Sequence, residues 1–299
     1  MDNIQDPLVS ICCITYNHEK YIKNAIESFL MQKTDFPFEI IIHDDASTDR
    51  TADIIKEYEK KYPDIINPIY QTENQYSKGV NVAFITFKKA KGRYIAICEG
   101  DDYWTDPMKL QIQTTFLERN PDYVITYAAV KPFDENGIIK TDFGGALKDL
   151  SEEQLKRATP INTLTTCFRN VITELPPEFS IAKVGDLTIW SLLGAYGKGK
   201  FIGEIKPCAY RVHDNGVFSK KSPKEKIYMS LTTRISLMLY YVRINDSITA
   251  NYFMRRVIVY FFYYVGTLQI IELFSRCMLG KILRRFRQVN NLLIHRSSI

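Results

Sequence analysis

The segment Tyr94–Trp104, YIAICEGDDYW, combines an apolar run with an acidic turn and is the most informative part of the sequence. Its first half, YIAIC, is a short apolar run of the kind that forms a buried strand of a parallel sheet. Its second half begins with the acidic turn Glu99-Gly100-Asp101-Asp102, which follows that strand directly. Because ligands of open parallel sheets bind beyond the carboxyl ends of the strands, this turn is a candidate site.

Two earlier segments repeat the arrangement of a strand followed by a polar turn. Leu8–Ile14 is an apolar, β-branched run that precedes Thr15-Tyr16-Asn17-His18, and Phe38–His43 precedes Asp44–Asp49. Helical apolar faces lie between these runs, and a further strand and helix are expected over Asn67–Gln71 and Asn81–Ala90. The sequence therefore predicts an α/β fold with a doubly wound, mostly parallel sheet.

The rest of the chain is less regular and then becomes helical. A helix is expected to start at Thr105-Asp106-Pro107, where an acid and an early proline favour a helix N-terminus. Further predictions are a strand over Asp122–Val130, a hairpin turn at Asp134–Gly137, a helix over Leu187–Leu193, and strands over Phe201–Ile205 and Cys208–Val212. After Ser222-Pro223, helical spacing predicts three helices, of which the later two span about Ile248–Val265 and Leu268–Asn290.

This pattern divides the chain into two predicted domains. Residues 1–222 form an α/β domain, with a nucleotide-binding half at about 7–120 and an acceptor half at about 121–222. Residues 223–299 form a basic, amphipathic helical appendage to that domain.

Composition narrows the class of protein. The 299 residues are 45% hydrophobic and 24% charged, which excludes disorder and low-complexity classes. The segment Lys224–Ile299 has 12 Lys and Arg against 3 Asp and Glu, whereas the rest of the chain is net acidic. The six cysteines show no metal-binding spacing and are expected to be reduced core residues of a cytoplasmic protein. Neither a signal peptide nor a run of about 20 apolar residues is visible.

The acidic turns allow two interpretations. Oxygen ligands such as those of Glu99–Asp102 suit Mg²⁺ or Mn²⁺, but a solvated turn that caps the next helix has the same composition. The segment Asp44–Asp49 is likewise rich in N-cap residues. Its carboxylates could also accept hydrogen bonds from a uracil imide or a ribose hydroxyl group.

In this order and spacing, the motifs resemble the family 2 glycosyltransferases, which are inverting enzymes with the GT-A nucleotide-diphospho-sugar fold. The resemblance covers about Pro7–His213. The segments that carry it are Val9-Ser10-Ile11, Thr15-Tyr16-Asn17, Asp44–Asp49, Lys91–Ile95, Glu99–Trp104, Gly185-Asp186 and Tyr210–His213. The chain departs from the family pattern at Ile14, where proline is usual, at Glu99, where aspartate is commoner, and at Phe84-Ile85, where an Arg-Asn pair is frequent.

The resemblance implies a role for individual residues. It implies that Asp45, with Asp44 beside it, contacts the uracil or ribose, and that Asp186 is the catalytic base. It implies a divalent metal, Mn²⁺ or Mg²⁺, on Asp101, with Glu99 and His213 as further candidate ligands. The remaining expected contacts to the nucleotide are Thr15, Tyr16, Asn17, Lys78 and Arg211. For Lys78 and Arg211, which could bind phosphate oxygens, surface salt bridges are the alternative. Trp104 and Trp190 allow either sugar stacking or core packing.

The predicted function is transfer of a hexose from a nucleotide diphosphate sugar to a hydroxyl of a cell-surface glycan or lipid-linked acceptor. A catalytically inactive nucleotide-sugar-binding module is the alternative from another class. A sugar nucleotidylyltransferase is disfavoured because Thr15–Glu19 stands where that class needs a glycine-rich, basic phosphate-binding segment.

The basic C-terminal segment suggests a second role. On a helical projection from Arg276, Lys281, Arg284, Arg285 and Arg287 fall on one half and apolar residues on the other. This pattern is typical of a helix on an anionic membrane surface, here the inner face of the cell membrane. Packing on the α/β domain or a homodimer through the C-terminal helices are the alternatives, and nothing indicates nucleic-acid binding.

Overall fold

A mixed sheet lies at the centre of the computed structural model, which describes residues 6–140, 144–213, 216 and 221–265. The strands are β1 (Val9–Thr15), β2 (Phe38–Asp44), β3 (Ile66–Tyr70), β4 (Tyr94–Ile97), β5 (Tyr123–Tyr127), β6 (Val130–Asp134), β7 (Gly137–Ile138), β8 (Cys167–Arg169), β9 (Lys198–Phe201) and β10 (Cys208–Arg211). The main sheet has the order β3-β2-β1-β4-β8-β5-β9, and a smaller sheet has the order β10-β6-β7. Only β8 runs antiparallel to its neighbours in the main sheet, so the prediction of a mostly parallel α/β fold is confirmed.

Helices cover the sheet and extend from its end. They are α1 (Ile22–Leu30), α2 (Thr51–Lys61), α3 (Val82–Lys89), α4 (Lys109–Arg119), α5 (Glu152–Lys156), α6 (Gly185–Leu193), α7 (Pro223–Arg243) and α8 (Ser247–Val265). The predicted apolar face of α1, which includes Ile22 and Phe29, is fully buried. Asn81 caps α3 through its side chain, and a Ser222–Glu225 capping box starts α7 next to Pro223.

Two local predictions need correction, and two short elements had no prediction. Helix α4 begins at Lys109 and not at Thr105-Asp106-Pro107, because the Asp106 carboxylate accepts hydrogen bonds from the amides of Met108 and Lys206. The strand expected over Phe201–Ile205 lies earlier in the chain, as β9, and ends at Phe201. The residues Ile202 and Ile205 that follow it are buried in a small separate apolar cluster. Strand β8 and helix α5 were not predicted, because both are too short for a clear periodicity.

The turn Lys91-Gly92 fastens the start of β4 to the centre of the sheet. The Ser10 hydroxyl donates to the Glu39 carboxylate at 2.7 Å and accepts from the Gly92 amide at 2.8 Å. The Lys91 amide donates to the same Glu39 oxygen at 2.8 Å. Buried Glu39 is therefore a structural residue that joins β1, β2 and the turn before β4.

The two C-terminal helices pack on the α/β domain. Leu237 and Tyr241 of α7 and Phe253 of α8 are buried in the same apolar cluster as Trp190 of α6. The Tyr241 hydroxyl also contacts the Ser191 hydroxyl at 2.9 Å. Helix α7 starts at the predicted boundary, but its apolar face belongs to the common core. The division into domains at residue 222 stays a prediction.

The third C-terminal helix, predicted over Leu268–Asn290 with its basic face, lies outside the described residues. Within the ranges that are described, no helix is both long enough and apolar enough to cross a membrane.

Candidate active site

The ends of three neighbouring parallel strands form the floor of the candidate site. Strand β1 lies between β2 and β4, so the turns that follow these strands meet at one sheet edge. The Asp45 amide donates to the Thr15 carbonyl at 3.0 Å, and the Gly100 amide donates to the Ile14 carbonyl at 2.9 Å. A Cβ on Gly100 would lie 2.7 Å from the Thr15 hydroxyl, so the residue at this position must be glycine for the turns to approach.

The turns after β1 and β2 are tied together by side chains. Asn17 adopts a left-handed backbone with a φ of 55°. Its amide donates to the Ser47 hydroxyl at 2.9 Å, and its side-chain oxygen accepts from the Thr48 amide at 2.8 Å. The His18 amide donates to the Thr51 hydroxyl at 2.8 Å. These bonds fix Asn17 and His18, while the neighbouring Tyr16 ring is 43% exposed at the edge.

The paired aspartates after β2 differ in their contacts. Asp44 accepts a hydrogen bond from Ser47, and burial raises the pKa of its carboxyl group. Asp45 accepts from the amides of Gln75 at 2.7 Å and Tyr76 at 3.0 Å. It therefore anchors the loop that follows β3.

The same loop carries Lys78, which is exposed and forms an ion pair with Glu73. The expected roles of Asp44, Asp45 and Lys78 toward a nucleotide stay predictions.

Asp101 lies between two histidines. Its Oδ2 atom is 3.0 Å from Nε2 of His213 and 3.7 Å from Nε2 of His18. One ligand atom from each of these three residues lies within 4.8 Å of the others, which is a spacing that could hold a metal ion. Burial acts to raise the pKa of Asp101, but the His213 hydrogen bond and both histidines hold it below its ordinary value.

The sequence pattern did not indicate His18 as a candidate ligand, because His18 and His213 are far apart in the chain and follow strands of different sheets. The one available signal was the position of His18 in a polar turn at a strand end, beside the predicted site residues.

Arg211 orients the acidic turn from the second sheet. Strand β10 reaches this turn through a bridge between Ala209 and Tyr103. The Arg211 amide donates to the Asp102 carboxylate at 2.7 Å, and its Nε donates to the Asp101 carbonyl at 2.8 Å. Its guanidinium lies over the Tyr21 ring, 4.6 Å from the ring centre. The predicted contact between Arg211 and phosphate stays a prediction.

Glu99 lies apart from the group of His18, Asp101 and His213. Its Oε2 atom is buried and has no hydrogen-bond partner among the residues that the structure describes. Burial raises the pKa of Glu99 to about 7, and the charges of Asp101 and Asp186 act in the same direction. The role of Glu99 as a metal ligand stays a prediction.

Asp186 stands in the first turn of α6. Burial raises the pKa of Asp186 to about 6, although the amides of Leu187 and Asp186 itself lower it. The carboxylate is near enough to raise the pKa of both Glu99 and Tyr210. A carboxylate with this pKa is suited to accept a proton near neutral pH.

Both tryptophans are core residues, which excludes the sugar-stacking alternative. Trp104 and Trp190 are 1% and 0% exposed. Their indole nitrogens donate to the carbonyls of Leu164 at 2.7 Å and Ile161 at 3.2 Å. The Lys109 Nζ atom lies 4.1 Å from the centre of the Trp104 ring, and the Phe29 ring centre lies 5.0 Å from it, so Trp104 is packed in the core.

Comparison with known sequences identifies relatives. The sequence model described as glycosyl transferase family 2 matches residues 10–173. An uncharacterized protein of Mycobacterium tuberculosis is 41% identical over 216 residues, which are 70% of this chain and 60% of that protein. The chain thus spans about 60% of the length of these mycobacterial relatives. The putative teichuronic acid biosynthesis glycosyltransferase TuaG of Bacillus subtilis is 33% identical, with 72% of this chain and 83% of TuaG covered.

Comparison with solved structures identifies the fold. The fragment 1–349 of S. aureus TarS in complex with UDP-GlcNAc superposes with a TM-score of 0.55 at 19% identity, covering 76% of this chain and 66% of the fragment. The mannosyltransferase PcManGT from Pyrobaculum calidifontis, in complex with GDP-Man and Mn²⁺, gives a TM-score of 0.55 at 16% identity, covering 80% and 65%. Together with the family match over the strands and turns described above, these findings show that the chain belongs to glycosyltransferase family 2 and has the GT-A fold.

Proposed function

We propose that this protein is an inverting, metal-dependent glycosyltransferase. Its donor is a nucleotide diphosphate sugar, expected to be a UDP-sugar, and its acceptor is a hydroxyl of a cell-surface glycan or lipid-linked sugar. The observation that carries the proposal is the grouping of Asp101 with His18 and His213, with one ligand atom from each residue within 4.8 Å of the others. Asp45 anchors the loop after β3, and Asp186 is near enough to raise the pKa of Glu99.

Asp186 is the proposed base. It would accept the proton of the acceptor hydroxyl as the oxygen attacks the anomeric carbon and the bond to the nucleoside diphosphate breaks. One displacement with one base inverts the configuration at that carbon. The raised pKa supports this role, because a base with a pKa near the working pH is strong enough to accept a proton and still largely ionised.

The donor set near Asp101 fits a divalent metal ion, Mn²⁺ or Mg²⁺. Asp101 and His213 would hold it, and the Oε2 atom of Glu99, which has no hydrogen-bond partner among the described residues, is a further candidate ligand in the same turn. Such an ion supplies Lewis-acid stabilisation of the departing diphosphate. Arg211 keeps the Asp101 and Asp102 turn in position from β10.

The relatives support the classes of donor and acceptor. The name of TuaG gives a glycosyltransferase of teichuronic acid biosynthesis, which supports a glycan acceptor. The structures of TarS and PcManGT contain UDP-GlcNAc and GDP-Man, which supports a nucleotide sugar as donor and leaves the base to be measured.

The test combines ligand binding with turnover. The full chain is heated with UDP, GDP, dTDP and CDP and their sugars, with and without Mn²⁺. A ligand at 100 times its Kd stabilises the native state by about 2.7 kcal/mol, which gives a clear rise in Tm. Asp186→Asn should retain this rise and lose about 10²–10⁴-fold in transfer rate. Asp64→Asn, at an exposed acid in the loop before β3, is the matched control and should leave both unchanged.

Three outcomes would contradict the proposal. The absence of a rise in Tm with every nucleotide would contradict the proposed donor site. A nucleotide-dependent rise without transfer to any sugar acceptor would favour an inactive binding module. Release of pyrophosphate from a nucleoside triphosphate and a sugar phosphate would favour a nucleotidylyltransferase.

We further propose that the helical region holds the enzyme at an anionic membrane surface, the inner face of the cell membrane. Helix α8 turns Phe253 and Ala250 toward the core, and its opposite face carries several exposed apolar side chains together with Asn251 and Arg255. The exposed apolar residues of that face are Ile248, Met254, Ile258, Val259, Phe261, Phe262 and Tyr263. Arg255 and Arg256 are exposed on the same helix, which suits anionic headgroups. A homodimer through this face is the alternative.

Deleting the helical region would not test this idea cleanly, because Leu237, Tyr241 and Phe253 belong to the core. Substitution of Ile258, Phe261 and Phe262 by serine leaves the core intact. This variant should lose co-sedimentation with phosphatidylglycerol vesicles, and neither protein should bind phosphatidylcholine vesicles strongly. Equal binding of wild type and variant would exclude the α8 face, and a wild-type dimer that the substitutions dissociate would favour the dimer.

A further inference from the structure

His18 is held in a fixed position beside Asp101 without forming a direct hydrogen bond to it. The 3.7 Å between Nε2 of His18 and Oδ2 of Asp101 exceeds hydrogen-bond distance. The Nδ1 atom of His18 is buried and has no partner among the described residues. Since the His18 amide is bonded to Thr51 and the preceding Asn17 to Ser47 and Thr48, the backbone cannot easily turn this imidazole away.

The gap between these groups has the size of a metal site. Ligand atoms bound at about 2.1 Å to one ion lie about 3 to 3.5 Å from each other. The measured separations around Asp101 are 3.0 Å to His213 and 3.7 Å to His18, with all three ligand atoms within 4.8 Å. Small rotations of the side chains would bring the three atoms to one ion.

We infer that His18 is a third protein ligand of the divalent metal, so that two imidazoles and one carboxylate hold the ion. The inference rests on the proposed function for the remaining coordination positions, which diphosphate oxygens and water would take. His18 follows β1, Asp101 follows β4 and His213 follows β10. The ion would therefore join two turns of the main sheet to the smaller sheet.

This ligand set has a consequence for metal choice. Mg²⁺ prefers oxygen ligands and retains its waters. Imidazole nitrogen binds first-row transition ions, of which Mn²⁺ is the weakest binder, in preference to Mg²⁺. A site with two imidazoles should therefore bind Mn²⁺ more tightly than Mg²⁺. A role for His18 as a hydrogen-bond donor to a phosphate oxygen is the competing explanation, and it would not require metal affinity to depend on His18.

The experiment titrates the full chain with Mn²⁺ alone and measures binding from the EPR signal of the Mn²⁺ that remains free. His18→Gln should raise the Kd for Mn²⁺ about tenfold or more, because even loss of a residue that only orients a ligand costs about 10- to 100-fold. The substitution should also reduce the difference between the affinities of the protein for Mn²⁺ and for Mg²⁺. Lys23→Gln on the exposed side of α1 is the control and should bind Mn²⁺ like the wild type. Wild-type affinity in His18→Gln would overturn the inference.

A second measurement needs no variant. Pulsed EPR of Mn²⁺ bound to wild-type protein labelled with ¹⁵N-histidine should show two coordinated imidazole nitrogens, and one nitrogen would overturn the inference. Nucleotide binding and sugar transfer are followed in parallel. Transfer with unchanged Mn²⁺ affinity in His18→Gln would refute the ligand and leave the proposed function intact. Metal affinity that depends on His18, without nucleotide binding or transfer, would refute the proposed function and leave the ligand intact.

Discussion

At the scale of single residues, the acids of the site differ because their surroundings differ. Asp101 has histidines on two sides, which hold its pKa low despite burial. For Asp186, burial has the largest effect and raises the pKa of the carboxyl group to about 6, although two backbone amides lower it. The two carboxylates are thus suited to different tasks, the first to bind a cation and the second to accept a proton.

The pH dependence of transfer should follow Asp186. A base must be deprotonated to act, so kcat/KM should fall as the pH decreases through about 6 and level off above it. The measurement is kcat/KM for the acceptor from pH 5 to 8 with the donor saturating and Mn²⁺ affinity followed at each pH. Asp186→Asn should show a low rate without this acidic limb. A limb of the same midpoint in the residual activity of Asp186→Asn would assign it to another group.

At the scale of elements, short polar turns hold the strands in register at both ends. At the carboxyl edge, Asn17 and Ser47 join the turns after β1 and β2. At the opposite edge, Gly92 lies against β1 so closely that its position admits no side chain. The Lys91-Gly92 motif, which belongs to the resemblance to the family, therefore has a structural role here, whereas the acidic turn at the other end of β4 carries the proposed chemistry.

Gly92→Ala should destabilise the fold by about 1–3 kcal/mol, as is typical of overpacking in a core. The new Cβ would lie 2.5 Å from the Ser10 amide nitrogen and 2.7 Å from the Val9 carbonyl carbon, both of which are backbone atoms. Urea unfolding measures the change. Gly203→Ala is the control, because its Cβ would meet only the Phe201 ring at 3.3 Å. Equal free energies of unfolding of the two variants would show that the close approach of Gly92 to β1 does not exclude a side chain.

At the scale of the whole molecule, the two C-terminal helices α7 and α8 share the core of the α/β domain. The Tyr241 ring stacks on Phe253, and its hydroxyl reaches Ser191 of α6. A helical region joined only by a linker would unfold on its own. One that contributes buried aromatic residues should unfold together with the sheet.

We expect one cooperative unfolding transition for the whole chain. The substitution Tyr241→Ala should lower the free energy of unfolding by about 3–5 kcal/mol, as is typical for large buried aromatic residues. The urea unfolding curves measured by far-ultraviolet circular dichroism and by the fluorescence of Trp104 and Trp190 should coincide. Val242→Ala on the exposed side of the same helix should change stability by less than about 0.5 kcal/mol. Two separate transitions would instead support the predicted division at residue 222.

The local features of this protein could be predicted from its amino-acid sequence. Strands β1, β2 and β4 are apolar runs, and the acids that follow them are their immediate neighbours in the chain, so the parallel sheet and its acidic edge could be predicted. Only the tertiary structure decided that His18 and His213, 195 positions apart in the sequence, meet at Asp101, and that Trp104 is buried. The physical reason is that periodicity reports which face of an element is apolar, whereas contacts between distant segments depend on how the sheets and helices pack.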